Sequence, residues 1–348
     1  MRGFRRPASG GPRGCGHRLP VTDGGLQHAR RAVPIRASEG VSRAPIVAAL
    51  LFVWPASALA AQTCEPAAEV VEIAAGIYVR PGTHAVVFDG EAVANIGFVV
   101  GDRCVAVIDT GGSYAEGQAL ECAIRRATTR PVCFVINTHV HPDHWLGNLA
   151  FARPGVFYIG HTKLPRALAL RGTSYLERAG QQAGRPLGPE HIKLPDLAVD
   201  GRLSLDLGDR VLEIVAQPVA HTDNDLTVYD EKTGTLWLSD LVFIEHIPVI
   251  DGSLQGWLRV LEALLEQPAQ RVVPGHGPVQ AAWPAAAADT RRYLSALRDE
   301  TRERIAKGDD IQEAQHTVAY GERTRWQLFE DYHRRNIIAA YTELEWED

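Results

Sequence analysis

The run His139-Val140-His141-Pro142-Asp143-His144 follows the apolar segment 131–136 after two polar residues. Four of its side chains can bind a metal ion, namely His139, His141, Asp143 and His144. Three more such residues, each at the end of its own apolar, β-branched segment, are His221, Asp240 and His276. Strands that end close together can direct such side chains into one cavity. Imidazole and carboxylate ligands without cysteine suit zinc, with iron and manganese as alternatives. The sequence therefore predicts a dinuclear metal site.

The remaining histidines are given a different interpretation, because a lone surface or core histidine is more often structural than a ligand. The residues interpreted in this way are His17, His28, His84, His161, His191, His316 and His333. Packing is a poor explanation for the seven residues of the predicted site, since charged carboxylates are rarely buried without a partner.

Five short motifs occur in order along the chain. They are Ile108-Asp109-Thr110-Gly111-Gly112, the histidine run, Ala220-His221-Thr222, residues 238–243 and Pro274-Gly275-His276-Gly277-Pro278. This order resembles the metallo-β-lactamase superfamily over nearly the whole chain after the first 60 residues. The resemblance implies a first metal held by His139, His141 and His221. It implies a second metal held by Asp143, His144 and His276, with Asp240 bridging both.

Two of these positions imply a subgroup of the superfamily. A bridging carboxylate at Asp240 is the pattern of glyoxalase II-like and other broad hydrolases, whereas dedicated β-lactamases usually carry cysteine or serine there. Redox diiron relatives commonly place glutamate where this chain has His141, which favours a hydrolytic zinc centre. Persulfide dioxygenase relatives keep similar histidines around a single iron, which leaves iron as an alternative.

The segment from Asp240 to Trp257 carries a closer resemblance. Together with residues 221–225, it is similar to the quinoprotein relay system zinc metallohydrolases. These are periplasmic members of the superfamily associated with pyrroloquinoline quinone-dependent alcohol oxidation. The resemblance implies a link to a periplasmic quinoprotein system but no particular substrate. Within the segment, His246 is interpreted either as a residue at the mouth of the pocket or as a polar loop residue.

The ligand set predicts the chemistry. Two zinc ions per chain, about 3.5–4 Å apart, would share a hydroxide whose pKa falls toward roughly 7. That metal-bound hydroxide would attack the carbonyl of a small ester, thioester, lactone or amide. The candidate catalytic residues are Asp143, which would orient the nucleophile, and Asp109, which by family pattern orients the ligand loop. Thr222 and Asn224 are candidates for shaping the pocket, with a turn cap as the alternative for Asn224.

Two other functions stay open beside the dinuclear zinc hydrolase. One is a mononuclear iron oxygenase that acts on sulfur species. The other is a periplasmic metal-binding accessory protein of a quinoprotein oxidation system, without catalysis of its own. Metal content separates the first two, because a hydrolase would carry two zinc ions and an oxygenase one iron.

The first 60 residues are predicted to be an export leader. The apolar segment 46–54 is preceded by Arg43 and followed by Ala58-Leu59-Ala60, which is the order of a cleaved secretory signal and is too short for a stable membrane anchor. Cleavage is expected after Ala60 or Ala61, giving a periplasmic protein. Residues 1–40 are interpreted as disordered or as a misassigned start.

The remaining residues, 61–348, are predicted to form one hydrolase domain, because about 285 residues fit a single large α/β domain. The net charge is −6 and includes the basic leader, so the mature part is more acidic still. This balance argues against nucleic acid as a partner. The cysteines after the leader are Cys64, Cys104, Cys122 and Cys133, which allow two disulfides in three pairings or buried thiols.

The predicted fold is α/β, an αββα sandwich of the metallo-β-lactamase type. Strands are predicted at residues 70–79, 97–100, 104–109, 132–137, 203–207, 211–217, 226–229, 235–238 and 271–273. Helices are predicted at residues 115–127, 164–180, 254–265, 285–306 and 324–342.

Overall fold

Two sheets make up the core of the computed structural model, which describes Cys64 and residues 66–347. The strands of the first sheet are β1 (Val71–Ala74), β2 (Ile77–Arg80), β3 (Ile96–Val100), β4 (Val105–Ile108), β5 (Val132–Ile136), β6 (Phe157–His161) and β7 (Leu197–Val199). They lie in chain order, with antiparallel pairing from β1 to β4 and parallel pairing from β4 to β7.

The strands of the second sheet are β8 (Arg202–Asp206), β9 (Val211–Ala216), β10 (Leu226–Asp230), β11 (Thr235–Phe243), β12 (Arg271–His276) and β13 (Ala281–Ala282). They also lie in chain order, and β11 and β12 form the parallel pair of this sheet. The helices are α1 (Tyr114–Ala127), α2 (Pro142–Trp145), α3 (Leu164–Gln182), α4 (Leu254–Leu265), α5 (Ala288–Lys307), α6 (Ile311–Ala314) and α7 (Phe329–Leu344).

The side chains of each sheet alternate between two apolar layers. In β4, Ala106 and Ile108 pack with residues of the second sheet such as Ile214, while Val105 and Val107 pack with the buried face of α1. On the outer face of the second sheet, alternate residues of β11 pack against α4, α5 and α7. The layers follow the order helix, sheet, sheet, helix, so the αββα prediction is confirmed.

Several predicted elements differ from those observed. The strand predicted at 70–79 is a hairpin, because Gly76 takes a left-handed φ of +72° between β1 and β2. The sequence prediction missed β6 and β7. The prediction of strands ending at 238 and 273 was too short, since β11 and β12 continue to Phe243 and His276. The last helix starts at Phe329 rather than 324, because Leu328 has a left-handed φ of +60° that interrupts the helical backbone.

One disulfide joins Cys64 to Cys122 on α1, so the structure selects one of the pairings left open by the sequence. Cys104 and Cys133 are thiols, and burial raises the pKa of Cys104 to about 12. The predicted leader, with Cys15, His17 and His28, lies outside the described residues. None of the described helices is long and apolar enough to span a membrane.

Candidate metal centre

The predicted ligands lie at the ends of strands from both sheets. The parallel strands β4 and β5 end at one edge of the first sheet, and Asp109 and residues 139–144 follow them. In the second sheet, Asp240 lies within β11 and His276 ends β12. His221 lies on the loop between β9 and β10. The structure therefore brings all seven predicted ligands together, as two adjacent groups.

The first group consists of His139, His141, His221 and Asp240, whose candidate ligand atoms lie within 4.8 Å of one another. His141 Nδ1 is 3.1 Å from His139 Nε2 and 2.9 Å from His221 Nε2. Asp240 Oδ2 is 3.3 Å from His221 Nε2 and 3.7 Å from His139 Nε2. Two ligands at about 2.1 Å from one tetrahedral zinc lie about 3.4 Å apart, so these spacings fit a zinc ion.

The second group consists of Asp143, His144 and His276. Asp143 Oδ2 is 3.5 Å from the Nε2 atoms of both histidines. Asp240 adjoins this group as well, because its Oδ1 is 3.2 Å from His144 Nε2 and its Oδ2 is 3.3 Å from His276 Nε2. One carboxylate thus lies between the two groups, where a bridging ligand is expected.

Asp109 fixes the ring of His144. Its Oδ2 lies 2.7 Å from His144 Nδ1, and its two oxygens also accept hydrogen bonds from the backbone N–H and hydroxyl of Thr138. Asp109 has a φ of +58°, a left-handed conformation that aspartate tolerates better than most residues. Because the Thr138 hydroxyl donates to Asp109, its oxygen can accept from His139 Nδ1, 3.1 Å away. The structure places Asp109 behind the loop of residues 139–144, in contact with Thr138 and His144.

Backbone carbonyls fix two further imidazoles. His221 Nδ1 is 2.7 Å from Val249 O, and His276 Nδ1 is 3.1 Å from Val93 O. A ring that donates from one nitrogen presents the other as a lone pair, and such outer contacts commonly orient metal-binding histidines. In both rings the free nitrogen is the Nε2 that faces the cluster.

The sequence did not identify the partner of His141. His141 Nε2 lies 2.9 Å from Asp251 Oδ2, which also pairs with Arg171 of α3. Asp251 lies in the segment between Asp240 and Trp257. Nothing in one sequence indicates the contact, because Asp251 and His141 are 110 residues apart.

Electrostatics divide the proposed ligands into neutral imidazoles, ionised carboxylates and two imidazoles that favour a proton. Burial lowers the pKa of His141 to about 4 and that of His221 to about 3, so these imidazoles are neutral at pH 7. Burial opposes ionisation of Asp143 and Asp240, but the neighbouring histidines outweigh it and lower both pKa values, that of Asp143 to about 2. The same carboxylates, against the effect of burial, raise the pKa values of His144 and His276, so binding of a metal ion would displace a proton from each of these rings.

The residues of the centre fit a bound metal. His144 Nε2 and Asp240 Oδ1 are buried 3.2 Å from each other, and neither has a hydrogen bond of good geometry with any described residue. A buried polar atom without a hydrogen bond lowers the free energy of unfolding by about 1–3 kcal/mol, and a cation bound between the two groups would offset this loss. A Cβ at Gly275 would lie 1.9 Å from Asp240 Oδ1, so only glycine lets the backbone approach this carboxylate. Five imidazoles and two carboxylates form a donor set typical of zinc.

Both ligand groups open onto one cavity, here called the central pocket. Its lining residues are Val86, Val87, Phe88, His141, Pro142, Asp143, Tyr175, Arg178, His221, Asp240, Phe243, His246, Val249, His276, Tyr332 and Arg335. His246 is buried in the pocket wall with its ring centroid 4.7 Å from that of His276, so it is more than a polar loop residue. Thr222 and Asn224 are not in the lining. Their contact is a local turn, in which the Thr222 hydroxyl accepts a hydrogen bond from Asn224 N.

Comparisons with known proteins agree with this fold. The sequence model of a family described as the metallo-beta-lactamase superfamily matches residues 89–276. No curated protein matches the chain. Among solved structures, a metallo-beta-lactamase from Pontibacter korlensis is 21% identical with a TM-score of 0.54, and the match covers 65% of this chain and 98% of that chain.

Two further solved structures are similar in fold. The stereoselective inverting sec-alkylsulfatase Pisa1 from Pseudomonas sp. is 18% identical with a TM-score of 0.64, and the match covers 80% of this chain but 51% of that one. The structure of TMB-1 is also 18% identical, with a TM-score of 0.52 and coverage of 66% and 98%. At these identities the likeness supports the fold and not a substrate.

Proposed function

Because the chain belongs to the metallo-β-lactamase superfamily, we propose that it is a dinuclear zinc hydrolase of small ester, thioester, lactone or amide substrates. The observation that carries this proposal is the position of Asp240 between two groups of buried imidazole and carboxylate ligands. We propose His139, His141 and His221 as ligands of one zinc ion. We propose Asp143, His144 and His276 as ligands of the other.

When bound, two zinc ions supply a Lewis acid for the carbonyl oxygen and lower the pKa of a water molecule toward about 7. The chain supplies orientation and charge. Asp143 is ionised and lines the pocket beside Asp240, so its carboxylate can accept a hydrogen bond from an attacking water and orient it. Asp109 does not line the pocket, and it acts by holding His144.

The composition of the pocket wall supports attack by water. The lining contains no serine, threonine, cysteine or lysine, so the aliphatic hydroxyl, thiol and amine nucleophiles are absent from this part of the described chain. Val86, Val87 and Phe88 form one apolar side, and Phe243 and Val249 add further apolar surface. Such a wall excludes bulk water from the carbonyl and binds the apolar part of a small substrate.

We also propose that residues 61–348 form the hydrolase domain of a periplasmic protein related to the quinoprotein relay enzymes. The Cys64–Cys122 disulfide supports an oxidising compartment. The segment behind the closer resemblance supplies Asp251 to His141 and packs the ring of Trp257 5.2 Å from that of His221. Intact mass spectrometry of the exported protein should find an N-terminus at Ala61 or Gln62. A mass that retains residues 1–60 would contradict the leader and the periplasmic location.

A hydrolysis screen on protein of defined metal content tests the function. We expect turnover of esters, thioesters or lactones by protein with two zinc ions, and its loss after chelation. Because Asp240 stands where dedicated β-lactamases carry cysteine or serine, kcat/KM on cephalosporins and carbapenems should stay below about 10⁴ M⁻¹s⁻¹. One iron per chain with oxygen consumption would establish the oxygenase instead, and two zinc ions without hydrolysis of any class would favour an accessory role.

A further inference from the structure

Two helices present the same pair of residues to the central pocket. On α3, Tyr175 precedes Arg178 by three positions, and on α7, Tyr332 precedes Arg335 by three positions. Residues three apart on a helix lie on the same face, one turn along. All four side chains line the pocket. Neither helix supplies a proposed metal ligand, so these residues serve some other purpose there.

The two arginines lack a carboxylate to neutralise them within the pocket. The carboxylates in its lining are Asp143 and Asp240, and both are proposed metal ligands. Arg178 is exposed and has no ion pair or hydrogen bond with any described residue. Arg335 Nη2 lies 3.5 Å from Asp251 Oδ1, but Asp251 is already engaged by Arg171 and by His141. The solvent side of the pocket is therefore cationic.

The tyrosines add hydrogen-bond donors to the lining of the pocket. Tyr332 Oη accepts a weak hydrogen bond from Val87 N at 3.4 Å, which leaves its own proton available to a ligand. Tyr175 packs near Phe88, with 6.5 Å between ring centroids, and its hydroxyl bonds to no other described residue. The pocket thus combines the proposed metal ligands, an apolar wall, two exposed arginines and two partly buried phenols. This composition fits a ligand in which an apolar stretch separates an anionic group from the reactive group.

We propose that Arg178 and Arg335, assisted by Tyr175 and Tyr332, bind an anionic group on the substrate, remote from the bond that is cleaved. Given the proposed function, on which this inference rests, the substrate is a small ester, thioester or lactone that carries a carboxylate. Guanidinium binds carboxylate through parallel hydrogen bonds, which gives orientation as well as affinity. Binding of the carboxylate by the two arginines would hold the substrate carbonyl against the metal ligands.

A matched pair of substrates tests the proposal. 4-Nitrophenyl hydrogen adipate carries a carboxylate, and its methyl ester has the same chain without the charge. The variants are Arg178→Gln, Arg335→Gln and the double variant. The control is Arg334→Gln, since Arg334 neighbours Arg335 on α7 but does not line the pocket.

Wild type and the Arg334→Gln control should prefer the anionic ester, and added salt should reduce that preference. Each pocket variant should lower the ratio of kcat/KM for the anionic to the neutral ester by about 3- to 10-fold, chiefly through KM. Turnover of the neutral ester should fall less than that of the anionic ester. An unchanged ratio in the double variant, or an equal loss in Arg334→Gln, would overturn the anion site and leave the proposed function standing.

A binding measurement separates failure of the anion site from failure of the proposed function. If zinc-loaded protein hydrolyses neither ester, the proposed function fails, and calorimetry with adipate then tests the site alone. Adipate should bind wild type and Arg334→Gln alike, and at least 10-fold more weakly to the double variant. Equal binding to all three proteins, or to none, would overturn the proposal.

Discussion

Removing the carboxylate behind His141 should weaken zinc binding at the first ligand group. Asp251 Oδ2 lies 2.9 Å from His141 Nε2, and the Asp251 side chain is 15% exposed. A hydrogen bond to a charged acceptor contributes about 1.5–3 kcal/mol and a neutral one about 0.5–1.5 kcal/mol. Asp251→Asn should therefore cost about 1 kcal/mol, or about fivefold in zinc Kd. Asp251→Ala removes the acceptor, and we expect the zinc Kd to rise about 10- to 100-fold.

Chelator competition at fixed pH and ionic strength measures both zinc affinities. The affinity for the first zinc ion, which His141 would bind, should fall more than the affinity for the second. Asp223→Asn is the matched control, because Asp223 lies on the His221 loop but contacts Asn224 and, distantly, Arg166 instead of a proposed ligand. Unchanged affinity in Asp251→Ala, or an equal loss in Asp223→Asn, would refute the argument that Asp251 orients His141.

Three other predictions concern the bridge, the disulfide and acid stability. Asp240→Ala should deplete the second metal more than the first, and full double occupancy by elemental analysis would remove Asp240 as the bridge. Cys122→Ser opens a loop with a sequence separation of 58 and should lower the free energy of unfolding by about 4 kcal/mol, measured with urea. A change below about 1 kcal/mol would mean that the unfolded chain retains structure without the disulfide, so that the disulfide constrains it little further. Burial lowers the pKa of His333 from 6.5 to about 4. The folded state therefore resists its protonation, and stability should fall as pH drops from 6.5 toward 4. In His333→Gln, the free energy of unfolding should depend less on pH between 6.5 and 4. An unchanged pH dependence would contradict this role of His333.

Much of the fold was predictable because its signals are local. The short apolar run that contains Val105 and Val107 predicts a buried strand, and the amphipathic spacing after the capping residue Ser113 predicts a helix. The split at Gly76 was less predictable, since one glycine within an apolar run also fits a continuous strand. The short strand Leu197–Val199 has little periodicity to detect and is fixed by its pairing with β6.

The ligands of the centre were predictable, but their surroundings were not. Histidine and aspartate at strand ends have a recognisable spacing, so the seven residues could be named from sequence. The contacts of Asp251 with His141 and Arg171 join three distant segments, and no local pattern encodes such a contact. For the same reason the sequence does not predict that Arg178 and Arg335 line one pocket, because this depends on how α3 and α7 pack around it.

The distribution of the ligands over both sheets has a consequence for how the protein acquires its metals. His139 and His144 follow a strand of the first sheet, whereas Asp240 and His276 belong to the second. Neither half of the nascent chain holds a complete site, so high-affinity binding must wait until distant segments have met. The ions would then come from the pool of whichever compartment the chain finishes folding in. A chain that completes folding after export would be loaded from the metals available outside the cytoplasm.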